Sequence, residues 1–315
     1  MTANNPERIV IALGGNAILT DDPSAEAQIA ALQKTCAHIV PLIEEGKQVI
    51  VTHGNGPQVG NLLLQQEAGS SAKSPAMPLD TCVAMTQGSI GYWTVLALKT
   101  ELKRAGLDRR VDVLMTTTSV SPDDPAFRHP TKPIGPFLSE EDAKAAAAVD
   151  GCTYIEDAGR GWRKVVPSPQ PLDVPGSACI PTLVERGDIV VCVGGGGIPV
   201  VECEDGFRGV EGVIDKDLTA ERLAEIVDAD NLVICTGVDN VCVDFNKPTQ
   251  RALGEVTVAE LERYIEEGQF PQGSMLPKVE ACIRFVESED GRRATITSLE
   301  RLRDLSQGAG TRIVK

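Results

Sequence analysis

Glu7-Arg8-Ile9-Val10-Ile11-Ala12-Leu13 passes directly into Gly14-Gly15-Asn16-Ala17. An apolar run rich in Ile and Val that ends in glycines reads as a buried strand feeding a turn. The device recurs: Lys47 to Thr52 is a second apolar run, and His53-Gly54-Asn55-Gly56-Pro57-Gln58-Val59-Gly60 turns into a helix to about Glu67. Between the two, Asp22-Pro23 is expected to open a helix with the stripe Ile29, Leu32, Cys36, Ile39, Val40 and Ile43, kinked at Pro41 and closed by Gly46. Strand, glycine turn and helix, repeated, is the pattern of an α/β sheet. Ligands of such sheets sit beyond the carboxyl ends of parallel strands, where both glycine turns would lie.

Working outward, Asp80 to Lys103 predicts a long helix with little polar face, either central or at a subunit contact. Val111 to Thr116 returns as a strand. Prolines then crowd from Pro122 to Pro136 and again from Pro167 to Pro175, bracketing an excursion that carries a helix over Ser139 to Val149. Lys132 sits between prolines in Pro130-Thr131-Lys132-Pro133, so its backbone is held extended. Arg160, Trp162 and Arg163, later in the excursion, read either as its internal structure or as substrate contacts.

A helix is expected near Ser177 to Arg186, and Asp188 to Val193 is a buried strand ending in Gly194-Gly195-Gly196-Gly197. In Ile214-Asp215-Lys216-Asp217, Asp215 caps a helix from Lys216 to Asp228, and a lysine at a helix N-terminus suits an anion. Asn231 to Thr236 is a further strand leading into Gly237-Val238-Asp239. Thr257 and Glu260 form a capping box, Ser274 to Lys278 opens another helix, and Ala294 to Thr297 and Arg312 to Val314 are short final strands.

Composition excludes several classes. The 315 residues are 42% apolar but only 3% aromatic, so the core must be aliphatic. A formal net charge of -15 argues against a nucleic-acid partner, which needs a basic face. Met1 to Arg8 has no apolar leader core and no uninterrupted apolar span is long enough for a membrane, so a cytoplasmic protein is expected. The nine cysteines are scattered without a Cys-x-x-Cys pair and the three histidines lie far apart, which supports neither a metal centre nor a hydrolytic triad.

Gly54-x-Gly56-x-x-x-Gly60 resembles a dinucleotide turn, but Asp80, at the right spacing for the ribose, starts a helix. A Walker A motif is absent from the sequence. What remains is an α/β protein with glycine turns on one edge and three lysines, Lys132, Lys216 and Lys278, at special backbone positions. That inventory fits phosphoryl transfer, in which the protein mainly positions reactants and neutralises oxygen charge. An anionic nucleophile such as a carboxylate or carbamate oxygen needs no general base.

Leu13 to Ala17, Thr52 to Asn61, Pro78-Leu79-Asp80 with Gln87-Gly88, Pro130 to Gly135, Glu156 to Arg163, Gly194 to Pro199, Ile214 to Asp217 and Gly273 to Lys278 together resemble the carbamate kinases of the amino acid kinase family. The resemblance covers nearly the whole chain in order. It implies an open, mostly parallel eight-stranded sheet between helices with a small protruding subdomain over residues 121–176. It also implies a carbamate- and phosphoryl-binding lobe over 1–211, a nucleotide-binding lobe over 212–315, and a homodimer. The implied reaction is reversible transfer between carbamoyl phosphate plus ADP and carbamate plus ATP, with Mg2+ carried by the nucleotide and no dedicated metal site. Its implied use is ATP formation from carbamoyl phosphate, as in arginine breakdown by the deiminase route. On this reading Gly14, Gly15, Asn16, Gly54, Asn55 and Gly56 hold the carbamate and the transferred group. Lys132 reaches over from the subdomain, Lys216 and Lys278 neutralise phosphate, Asp215 and Asp217 orient the lysines, and Thr236, Gly237, Asp239 and Met275 line the nucleotide pocket. Rival readings are another carboxylate-phosphorylating kinase and a non-catalytic nucleotide-binding regulator.

Overall fold

The computed structural model describes residues 6–18, 22–157 and 159–315. Most of the expected leaderless N-terminus, Met1 to Arg8, therefore lies outside the described residues. The first half runs β1 (Arg8–Leu13), α1 (Ala25–Glu44), β2 (Gln48–His53), α2 (Gly56–Gly69), α3 (Leu79–Arg104), β3 (Val111–Val113) and β4 (Thr117–Ser119). An excursion follows, made of β5 (Lys132–Leu138), α4 (Glu140–Asp150), β6 (Tyr154–Glu156) and β7 (Trp162–Val166). The chain returns through α5 (Ile180–Glu185), β8 (Ile189–Val191), β9 (Ile198–Cys203), β10 (Gly206–Gly209), α6 (Lys216–Ile226) and β11 (Asn231–Thr236). It ends with β12 (Cys242–Val243), β13 (Arg251–Ala252), β14 (Glu255–Thr257), α7 (Val258–Glu266), α8 (Leu276–Ser288), β15 (Arg293–Ser298) and β16 (Thr311–Val314).

Eight strands form one sheet in the order β14-β16-β15-β11-β1-β2-β8-β3. Every neighbouring pair is parallel except β15 with β16, so β14 and β16 at one edge run against the other six. Alternation along the strands divides the core. Ile9, Ile11, Leu13, Val49 and Val51 pack with Leu32, Cys36 and Ile39 of α1 and Ile90 and Leu98 of α3 on one face. Val10, Ala12, Ile50 and Ile234 pack with Leu223 of α6 and Phe285 of α8 on the other. Each such aliphatic side chain taken fully from water contributes about 1.5–3 kcal/mol, so a core nearly free of aromatics can still hold the sheet. The division at 211/212 falls within a continuous sheet, because β1 pairs directly with β11.

Local signals set several boundaries as expected. Asp215 caps α6, its Oδ1 accepting from Asp217 N at 2.9 Å. Thr257 and Glu260 make the reciprocal capping box of α7, and Ser139 caps α4. The start of α1 differs: its N-cap is Ser24, whose Oγ accepts from Ala27 N, while the Asp22 carboxylate accepts from Ser24 N at 2.9 Å and so braces the cap instead of forming it. The strand expected over Val111 to Thr116 is two strands in two sheets, β3 beside β8 and β4 beside β9. Thr116 makes the change of direction, its N donating to Gln87 Oε1 and its Oγ1 accepting from Val193 N, both at 2.7 Å. The β9–β10 hairpin after the four glycines was not foreseen.

The excursion folds as a separate three-stranded sheet, β5-β7-β6, with α4 against it. Its root is anchored in the body: Ile134 and Val166 are buried with Val59 of α2 and with Leu79 and Val83 of α3.

Candidate active site

The carboxyl ends of β1, β2 and β11 open into Gly14, Gly54 and Gly237 along one sheet edge. Gly54 N donates to the Leu13 carbonyl at 3.1 Å, locking the first two turns side by side. A cavity of about 520 Å³ lies over this edge. Its wall includes Gly15, Asn55 and Gly56 of the first two turns, Thr236, Gly237 and Met275, and the charged residues Lys132, Asp215, Lys216, Asp217 and Lys278. A smaller cavity of about 130 Å³ leads from Gly14 and Gly15 to Lys216 and Lys278.

Close approach favours glycine at two positions of these turns. A Cβ on Gly14 would stand 2.8 Å from the Cys235 carbonyl oxygen, and one on Gly54 would stand 3.2 Å from Lys216 Cδ. Gly54 thus makes room for the stem of Lys216 and is not itself on the cavity wall. The backbone of Asn16 continues the first turn, and its side chain lies outside the described residues. Asn55 is 2% exposed, its Nδ2 donating to Thr86 Oγ1 at 2.9 Å.

Elements far apart in sequence bring the charges together. Lys132, the first residue of β5, donates to Asp215 Oδ2 at 2.5 Å. Asp217, in the first turn of α6, accepts from Lys216 through Oδ1 and from Lys278 of α8 through Oδ2, the latter at 2.7 Å. With Asp215 Oδ1 held by the Asp217 amide, all four carboxylate oxygens already receive a donor. The two aspartates are therefore built to aim lysines, and among the described residues no group of three or more His, Cys, Asp or Glu is placed to hold a metal ion.

Burial acts against the charge on Asp215 and Asp217, yet the facing ammoniums, Lys132 for Asp215 and Lys216 with Lys278 for Asp217, hold both carboxyls below the usual carboxylate range. Burial also pushes Lys216 down, assisted by Lys278 and opposed by Asp217. Lys278, although burial opposes its charge, is raised by Asp217. His53, under the second turn, is held to about 4 by burial and stays neutral, with Nδ1 3.0 Å from the Gly54 carbonyl oxygen.

Asp239 does not reach the cavity wall; its carboxylate accepts from Ser298 Oγ at 2.6 Å, tying the ends of β11 and β15. Sequence reading passed over Asn240, Cys242, Phe245 and Phe270, which do line the wall. It also left the four glycines without a partner. Gly195 touches the cavity, while Gly194 and Gly196 are scaffold: the Gly196 carbonyl accepts from Thr118 and Thr219, and the Gly194 carbonyl from Gln87. Arg163 belongs to the excursion's own structure, pairing with Asp157 at 3.1 Å and donating to the Gly135 carbonyl.

The amino acid kinase family model matches residues 7–298. Carbamate kinase 1 of Enterococcus faecium is 58% identical over 300 residues, covering 95% of this chain and 96% of its own. The structure of carbamate kinase from Giardia lamblia bound to citric acid superposes with a TM-score of 0.93 at 40% identity, with both chains fully covered. The same Giardia enzyme bound to AMP-PNP gives a TM-score of 0.89. With an eight-stranded, mostly parallel sheet and lysines gathered over its glycine turns, the chain belongs to the amino acid kinase family, among its carbamate kinases.

Proposed function

We propose how these residues carry out a carbamate kinase's reaction, the reversible phosphoryl transfer between carbamoyl phosphate plus ADP and carbamate plus ATP. The observation that carries the assignment is the meeting of three lysines, each held by Asp215 or Asp217, on the wall of one cavity that also takes in two glycine turns. In the ATP-forming direction an ADP β-phosphate oxygen attacks phosphorus, the bond from phosphorus to the carbamate oxygen breaks, and carbamate leaves as an anion. No proton moves in this step, so no general base is called for.

Backbone N–H groups around Gly14, Gly15, Asn16, Asn55 and Gly56 hold the carbamate and the transferred group, as glycine turns can, while Gly54, its N–H spent on the Leu13 carbonyl, braces the turn from behind. Lys216 and Lys278 neutralise the phosphate oxygens, and Lys132 completes the clamp. The nucleotide occupies the part of the cavity lined by Thr236, Gly237 and Met275, so residues 212–315 supply most nucleotide contacts and 1–211 the carbamate contacts. Magnesium arrives on the nucleotide phosphates. The test is ATP formation by Lys132→Ala, Lys216→Ala and Lys278→Ala, each expected to lose about 10²–10³ in turnover; near-native rates in all three would overturn the assignment.

The enzyme works on α3 as a homodimer in this reading. Met85, Tyr92 and Leu96 are exposed at helical spacing on one side of that helix, 42%, 57% and 41% respectively. Tyr92→Asp is expected to yield monomers in sedimentation velocity, and an unchanged dimer would redirect the interface. No described helix is long and apolar enough to cross a membrane; a cytoplasmic setting follows from the need for ADP and ATP.

A further inference from the structure

We propose that the backbone contact between Gly60 of α2 and Gly135 of β5 positions Lys132, by fixing how far β5 stands from α2 and so how far the ammonium reaches into the cavity. This rests on the role given to Lys132 above. Gly56 and Gly60 are four residues apart and face the same way on α2, the helix that begins at the second glycine turn. A Cβ on Gly56 would lie in ordinary contact with the Pro133 carbonyl, 4.0 Å away. At Gly60 even a methyl does not fit: it would overlap Cα and N of Gly135 and stand 3.0 Å from the carbonyl carbon of Ile134. Two backbones therefore touch without side chains between them.

Gly135 is adapted to this contact. Its φ of 74° lies in the left-handed region that glycine favours, and the β5–β7 register breaks between Ile134 and Leu138. Arg163, 12% exposed, donates through Nε to the Gly135 carbonyl at 3.0 Å while Asp157 holds its Nη1. The irregular point of β5 is thus held by two contacts, a glycine face and a guanidinium. Lys132 is three residues before it on the same strand, paired in register with Val166, and its Nζ meets Asp215. Lys216 and Lys278 are carried by α6 and α8, outside this seam. Pushing β5 outward would withdraw one cation of the three, and a displacement of about 1 Å in a reacting array can cost on the order of 10²-fold in rate.

The experiment measures ATP formation from carbamoyl phosphate and ADP by Gly60→Ala, alone and combined with Lys132→Ala. Gly60→Ala is expected to lower kcat on the order of 10²-fold with the KM for ADP unchanged, and to cause no further fall once Lys132 is absent. Gly69→Ala, in the same helix but with no atom within 4 Å of the added methyl, leaves kcat unchanged. Arg163→Lys releases the Gly135 carbonyl without crowding the seam; a fall of roughly 10-fold, also silent without Lys132, is expected, and it decides the matter if Gly60→Ala does not fold. Full activity in Lys132→Ala would overturn the role of that lysine. A dead Lys132→Ala beside a fully active Gly60→Ala, or equal losses in both backgrounds, would overturn the positioning contact itself.

Discussion

Asp217 and Asp215 face the same cavity, two residues apart, and differ in how far each is withdrawn from water. Asp217 is 3% exposed and joins two lysines whose side chains are 12% and 18% exposed. Asp215 and Lys132 are 22% and 27% exposed, and their bond joins the body to the root of a separate sheet. The first arrangement is a fixed charge pattern within the packed core, and the second is a bridge between two folding units. Withdrawal from water and partial solvent contact are thus assigned to different carboxylates of one helix start.

The largest effect should come from breaking the fixed half. Asp217→Ala leaves two buried ammoniums without their carboxylate, and removing one partner from a buried ionic group costs about 3–5 kcal/mol. Thermal or urea unfolding checks this, and a midpoint like that of the parent would show the triad to be wetter than its burial indicates. Next, added salt should separate the two halves. The destabilisation caused by Lys132→Ala should shrink as ionic strength rises, because that pair is partly exposed and weak to begin with, while the Asp217 loss should persist. Equal salt responses would erase the contrast.

The smallest effect concerns pH. Lys216 is pushed below its ordinary 10.5 by burial, so its charge is the first of the triad to be lost as pH rises, and kcat should fall on the alkaline side below that value. A limb unmoved in Lys216→Arg would assign it elsewhere. On the acid side both carboxyls are depressed in the folded state. Their stabilisation is therefore complete above the ordinary carboxylate value of 3.8 and is lost only as pH falls below it toward the native values.

Local chemistry carried much of this architecture. The runs before Gly14 and Gly54, the cap at Asp215 and the box at Thr257 depend on neighbours within a few residues, so they could be read directly. The three lysines could be singled out by backbone position, but their sharing of two aspartates could not, since Lys278 meets Asp217 across 61 residues and Lys132 meets Asp215 across 83. The same limit explains the misread stretches. Thr116 changes sheets because Gln87 and Val193 bind it, and Asp239 turns to Ser298, partners that periodicity does not reveal. Ser24 and Asp22 show the competition at short range, where two good capping residues stand two positions apart and the one nearer the helix takes the role.

The burial of α6 carries one more consequence. From Asp217 to Ala224 all residues but Arg222 are buried, and β1 packs against this helix. Its amides can open to solvent only by unfolding that takes much of the sheet along, so hydrogen exchange along α6 should report the global stability of the fold.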